Sequence, residues 1–233
     1  MNSKLANNLM VIAVGVIMAS IATCLMIKAD IGLGSVDSML LNISKKMNIQ
    51  MGTITAIVYI LAVGTQVLIL GKGFKIRQLL QIPIAFIIGV VINFGLALLE
   101  GYEVSQYWLR VVFLLSGTLL ASIGVGAILA LGLVHLPIEG ACLALSEKKK
   151  WNFGVIRWTI DIFAIATTLV FYFFFNGYLT IREGTILNML IFAPILNFFY
   201  NYFKKHPFIK SIMIENSAEE IEHYEEEMKN THI

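Results

Sequence analysis

The apolar residues of this chain come in six nearly unbroken runs, separated by short polar breaks. They cover Leu9–Ile27, Thr53–Leu70, Leu79–Leu99, Val111–Leu131, Val155–Phe175 and Thr185–Phe203. At 1.5 Å rise per residue, a run of about 20 crosses a hydrocarbon core about 30 Å thick. The pattern predicts an all-α integral membrane fold with six transmembrane helices. Three of the connections are tight and carry turn residues: Gly71-Lys72-Gly73, Glu100-Gly101-Tyr102 and Asn176-Gly177-Tyr178.

The other two connections, Lys28–Gly52 and Gly132–Gly154, are too long for a turn, and each contains a short helical pattern. Ser35–Met47 and Pro137–Lys148 are half-helices of about a dozen residues, too short to span. Each either lies in the interface or dips in and returns. The second choice requires protein or a water-filled cavity to satisfy its backbone at depth.

Composition agrees with the runs. Of 233 residues, 58% are hydrophobic and 14% charged, with mean hydropathy +0.81. A soluble domain carries about 25% charged residues, so lipid must cover the surplus apolar surface. Lys4 ahead of the first run resembles a signal-peptide start, but no small-residue cleavage site follows, and the run reads as a retained span. Cys24 and Cys142 sit in apolar runs and read as free thiols. The net charge of +2 gives no reason to expect a nucleic-acid partner.

Lysine and arginine placement sets the expected orientation. Twelve lie with the N-terminus, the second-to-third and fourth-to-fifth connections and the C-terminus, against five on the other side (Lys28, Lys45, Lys46, Arg110 and Arg182). Both termini are therefore expected in the cytoplasm of a cell bounded by this plasma membrane. Residues 211–233 carry Glu219-Glu220 and Glu225-Glu226-Glu227 and read as an acidic cytoplasmic tail.

Shifted by 102 residues, the chain meets itself. Gly15, Ala19, Ser20 and Ile21 fall on Gly117, Ala121, Ser122 and Ile123; Asp37 falls on Glu139, Ser44 on Ser146, Lys46 on Lys148 and Gly52 on Gly154. Nine of 51 positions from Leu9 to Tyr59 are identical to Val111–Asp161. After a two-residue insertion, Asn93 falls on Asn197. Units 1–104 and 105–210 are then copies of span, half-helix, span, span. Three crossings is an odd number, so the second copy is inverted, as in many secondary transporters.

The steps Gly34-Ser35-Val36-Asp37 with Gly52, Pro137-Ile138-Glu139 with Gly154, and Gly184-Thr185-Ile186 resemble the YczE/YyaS/YitT family of bacterial membrane proteins, over nearly all of residues 9–203. Ser35 stands where that family's pattern has proline, Glu139 replaces an aspartate, and Asn93 and Asn197 stand where an acid would be familiar. The resemblance implies a multi-pass plasma-membrane protein and supplies no substrate.

The candidate solute- or ion-binding residues are Asp37, Glu139, Asn93, Asn197, Arg157 and Asp161. Acids at membrane depth are costly and mark functional sites by default. Asp37 and Glu139 each open a half-helix, so either they form a coupled cation or proton site or they simply meet the helix dipole. Asn93 and Asn197 lie within spans and either face a solute or bond neighbouring helices. Arg157 and Asp161 are four apart on one face of the fifth span, where the first unit has Thr55 and Tyr59. Gln66 and Asn188 are isolated polar groups, the small residues of spans 1 and 4 suit close helix packing, and His135 has no partner at metal-ligand spacing.

No catalytic or cofactor-binding motif is present, so neither an enzyme, a metal nor a cofactor is expected. The leading function is a secondary transporter or exporter of an unidentified small solute. The alternative is a membrane-embedded accessory or partner-binding protein without transport, and a lipid-acting enzyme ranks third. The partners expected are the bilayer, the solute and, as an open choice, further copies of the chain.

Overall fold

The computed structural model describes residues 2–175 and 177–212. The described residues are helical without strands: α1 (Asn2–Ala29), α2 (Ser35–Met47), α3 (Met51–Leu70), α4 (Gln81–Leu98), α5 (Tyr107–Leu131), α6 (Pro137–Lys149), α7 (Phe153–Phe175), α8 (Glu183–Lys205) and α9 (Pro207–Ile212). Six of these, α1, α3, α4, α5, α7 and α8, are long and apolar enough to cross a membrane. The six runs and both short helices therefore appear where the hydrophobic pattern predicts them. α1 starts earlier than expected, a 3-10 turn at Ile76–Leu80 precedes α4, and α9 is an addition. Asn8 of α1 donates to the Ile212 carbonyl at 2.7 Å and ties α9 down. The acidic part of the expected tail lies outside the described residues.

α1 and α5 form the centre, with α4 on α1 and α8 on α5. α3 packs on α4 and α6, while α2 packs on α7 and α3. Glycine lets the central pair touch through its backbones. A methyl on Gly15 would lie 2.7 Å from the Gly124 carbonyl, and one on Gly117 would lie 2.9 Å from that of Ala22. As the chain advances along α1 from 15 to 22, its contact on α5 retreats from 124 to 117, so the two helices run antiparallel. Without a hydrophobic force between helices in lipid, such close contact is a main source of association.

The short helices end alike. Asn48 and Lys150 adopt left-handed conformations just after α2 and α6, which stops each helix and turns its chain. Ser44 Oγ donates to the Ile49 carbonyl at 2.6 Å, and Ser146 Oγ donates to the Trp151 carbonyl at 2.7 Å. At the last turns, Lys46 donates to the Phe175 carbonyl, and Lys148 donates to that of Ile69 at 2.6 Å.

α2 is buried despite being half polar because its polar residues form a stripe. Ser35, Ser38 and Asn42 follow helical spacing, and all three are buried. Ser38 Oγ donates to the Thr180 carbonyl at 3.3 Å while Thr180 Oγ1 donates to that of Ser38 at 2.8 Å. Asn42 donates to the carbonyls of Thr168 and Tyr178. Each satisfied group avoids the roughly 1–3 kcal/mol cost of burial without a partner.

Candidate functional site

The first turns of α2 and α6 come together on one face of α7. Ser35 Oγ at the start of α2 donates to Asp161, eight residues into α7. Glu139 in the first turn of α6 receives Arg157 Nη1 at 3.1 Å. Arg157 Nε lies 3.4 Å from Asp161 one turn further along. One guanidinium thus bridges a carboxylate of its own helix and one brought by α6. Side-chain exposures of 32% for Arg157, 25% for Glu139 and 17% for Asp161 place the cluster between core and solvent.

Asp37 completes the group. It is half-buried in the first turn of α2, within electrostatic range of Arg157 and Glu139. Among the described residues its carboxylate has no hydrogen bond or ion pair. Tyr59 of α3 lies within electrostatic range of Asp37, Glu139 and Arg157, and Arg157 also reaches Cys142, one turn beyond Glu139. Four of the six residues singled out in the sequence therefore converge: Asp37, Glu139, Arg157 and Asp161.

The helices hold this arrangement from both ends. Pro137 is accommodated in the first turn of α6, where its missing N–H costs nothing. Gln66 of α3 donates to the Pro137 carbonyl at 3.1 Å and to Gln81 Oε1 at 2.8 Å, and Gln81 donates to Gln78 at 2.7 Å. All three glutamines are buried, so Gln66 is the anchor that places the first turn of α6 beside α3. The capping residues Gly34 and Leu136 make no side-chain bond. Glu139 spends its carboxylate on Arg157 instead of its helix.

The two asparagines lie elsewhere. Asn93 Oδ1 accepts the Gly52 N–H at 2.7 Å and its amide donates to Thr53 Oγ1 at 3.1 Å, joining α4 to α3. Asn197 is exposed and bonded to Asn201 one turn on. Asn188 of α8 is buried and donates to Met26 Sδ and Thr118 Oγ1. At one end of the bundle Asp30 pairs with Arg182 at 3.3 Å and Arg110 at 3.5 Å.

Sequence reasoning passed over Ser35, Tyr59 and the role of Gln66. A signal existed for Tyr59, because at the 102-residue shift it is the counterpart of Asp161. Gln66 left none, since its partners lie in another connection.

In charge terms, three carboxylates face one guanidinium, a formal excess of two negative charges with all ionised. The N-termini of α2 and α6 each contribute roughly half a positive charge. The balance is about one negative charge, which a proton on Asp37 or one monovalent cation neutralises. Such a cluster holds a cation, exchanges a proton, or frees its arginine for an anionic group once a carboxylate is neutralised.

No curated protein and no solved structure matches the chain. The family that does match is DUF6198, a family of unknown function, whose match runs over residues 6–201, and the chain belongs to that family.

Proposed function

We propose that this protein is a secondary transporter or exporter of a small solute, built as two inverted repeats whose re-entrant short helices meet at Arg157. The carrying observation is the convergence of Asp37 and Glu139, one from each repeat, on the Arg157–Asp161 pair.

Inversion is supported by features that recur 102 residues apart. The left-handed caps at Asn48 and Lys150, the bonds from Ser44 and Ser146, and those from Lys46 and Lys148 all recur at that spacing. Positive φ at Asp30 and Gly132 does too. The two glycine contacts between α1 and α5 are exchanged by the same shift, and those helices are antiparallel.

Re-entrance is supported by the level of each end of α2. Its last turn meets the last turn of α7 through Lys46, and its first turn meets Asp161. Asp161 lies about 12 Å along α7 from Phe153, about a third of the way along that helix. α6 meets α3 at Gln66 with its first turn and at Ile69 with its last, about 4.5 Å apart along α3, so the support for re-entrance comes from α2. The lysine and arginine distribution supports cytoplasmic termini in the plasma membrane. The kinship with YczE/YyaS/YitT proteins remains a reading carried by the short motifs.

In this reading Asp37 takes the coupling proton or cation, and Arg157 exchanges Glu139 for a polar group of the solute. The test is thermal shift of the purified protein against a panel of sodium, potassium, small ammonium compounds and small carboxylates, followed by counterflow in proteoliposomes for any hit. The reading expects a hit whose shift is lost in Asp37→Asn or Glu139→Gln while both variants stay folded. Normal counterflow in both neutral variants removes the coupled site.

A further inference from the structure

α8 presents an exposed stripe to the bilayer: Ile186, Leu190, Ala193, Asn197 and Asn201. Their three- and four-residue spacing keeps them on one face of the helix. The apolar members suit lipid. The two asparagines do not, because hydrocarbon offers an amide no hydrogen-bond partner. Asn197 lies three residues past the middle of α8, about 4.5 Å from it along the axis. That depth is well inside a hydrocarbon core about 30 Å thick.

Three exposed hydroxyls in other spans satisfy themselves. Thr65 Oγ1 donates to the Leu61 carbonyl at 2.9 Å, Thr159 Oγ1 to that of Val155 at 2.8 Å, and Ser116 Oγ to that of Phe113 at 3.0 Å. A hydroxyl bonded back to its own helix can face lipid. The asparagine pair is satisfied only in part. Asn201 Nδ2 donates to the Asn197 carbonyl at 2.8 Å and to Asn197 Oδ1 at 2.9 Å. Among the described residues, Asn197 Nδ2 and Asn201 Oδ1 have no partner. One is a donor and the other an acceptor, one turn apart on the exposed face. Pro194, three residues before Asn197, removes the helical donor of the Leu190 carbonyl on the same side.

We infer that α8 is the contact between two copies of this chain, paired through Asn197 and Asn201 about a twofold axis along the membrane normal. Two copies inserted the same way hold their α8 helices parallel, with the two asparagines forming adjacent layers of the contact. The free donor at Asn197 of each copy reaches the free acceptor at Asn201 of the other, and the bond is made twice. A face carrying one donor and one acceptor in need of partners is its own complement. Ala193, in the turn before Asn197, is small enough to let the helices approach closely. Ile186 and Leu190 continue the packing with apolar surface. The inference stands apart from the transporter reading and uses none of the residues clustered at Arg157.

The test uses full-length protein in liposomes, with Cys24 and Cys142 replaced by serine and no solute added. Energy transfer between copies carrying donor or acceptor dyes at the N-terminus reads the dimer fraction as protein is diluted into lipid. Oxidative cross-linking of Ala193→Cys locates the contact, with Phe86→Cys on the exposed face of α4 as the control. The expected result is a dimer that cross-links through Ala193→Cys and not through Phe86→Cys. Asn197→Leu with Asn201→Leu keeps apolar bulk on the face and removes both bonds. It is expected to weaken association roughly tenfold while melting in detergent is unchanged. Chains that stay apart at every dilution overturn the inference, as do cross-linking through Phe86→Cys instead and association that the double variant leaves unweakened. A fall in melting as large as that of Asn93→Ala also overturns it, since the asparagines would then serve the packing of a single chain.

Discussion

Replacing Arg157 by glutamine tests whether the cluster is held by charge. Its contacts at 3.1 Å and 3.4 Å correspond to Coulomb terms of about 5 kcal/mol each at an effective dielectric near 20. Desolvation offsets most of that gain. Breaking a fully buried pair costs about 3–5 kcal/mol, and breaking an exposed one under about 1 kcal/mol. Exposures of 17–32% put this cluster between those limits, at about 2–3 kcal/mol. For a chain of this size that is a fall of roughly 5–10 °C in apparent Tm. The assay is fluorescence-detected melting in detergent, with Lys149→Gln as an exposed control. Adding Glu139→Gln to the Arg157 variant removes one of the facing carboxylates and is expected to restore about 1 kcal/mol or more. A variant that melts with the control, or a pair of substitutions that simply add, refutes the argument.

Asp37→Asn is expected to leave melting unchanged or raise it, since it removes a carboxylate without a partner among the described residues; a loss of about 1 kcal/mol would mean that it serves as a cap. Gln66→Leu strands the Pro137 carbonyl and Gln81 and is expected to cost about 1–3 kcal/mol, read by the same melting assay. Asn93→Ala is expected to cost about 1 kcal/mol and Asn197→Ala almost nothing, because only Asn93 joins two helices; equal costs would contradict the asymmetry. Gly32→Ala is expected to reduce folded yield sharply. Its φ is +120°, and the added methyl would lie 2.5 Å from Thr185 N.

Much of this arrangement was legible before any coordinates. Six apolar runs fix the spans, because length and apolarity alone decide what crosses a bilayer. The bounds of α2 followed from the short helical pattern Ser35–Met47, which is local in sequence. Pairing of Arg157 with Asp161 follows from four-residue spacing on a helix. The reach of Arg157 to Glu139 does not, because it depends on α6 packing on α3 and settling beside α7. The same limit applies to Asn93 and Asn197, which are equivalent in sequence. Only tertiary packing puts one on Gly52 and leaves the other on the surface. Gln66 looked isolated because its partners, Gln81 and the Pro137 carbonyl, are 15 and 71 residues away.

The central claim is that α2 and α6 enter the membrane from opposite sides and meet at the cluster. Single cysteines at Ser35 and Pro137, with Cys24 and Cys142 replaced by serine, test it most directly in intact cells and inverted vesicles. A small membrane-impermeant thiosulfonate is expected to label both positions, and a bulky maleimide neither. Prompt labelling by the bulky reagent, from outside only at Ser35 and from inside only at Pro137, would place both helices on the membrane surface and contradict the account.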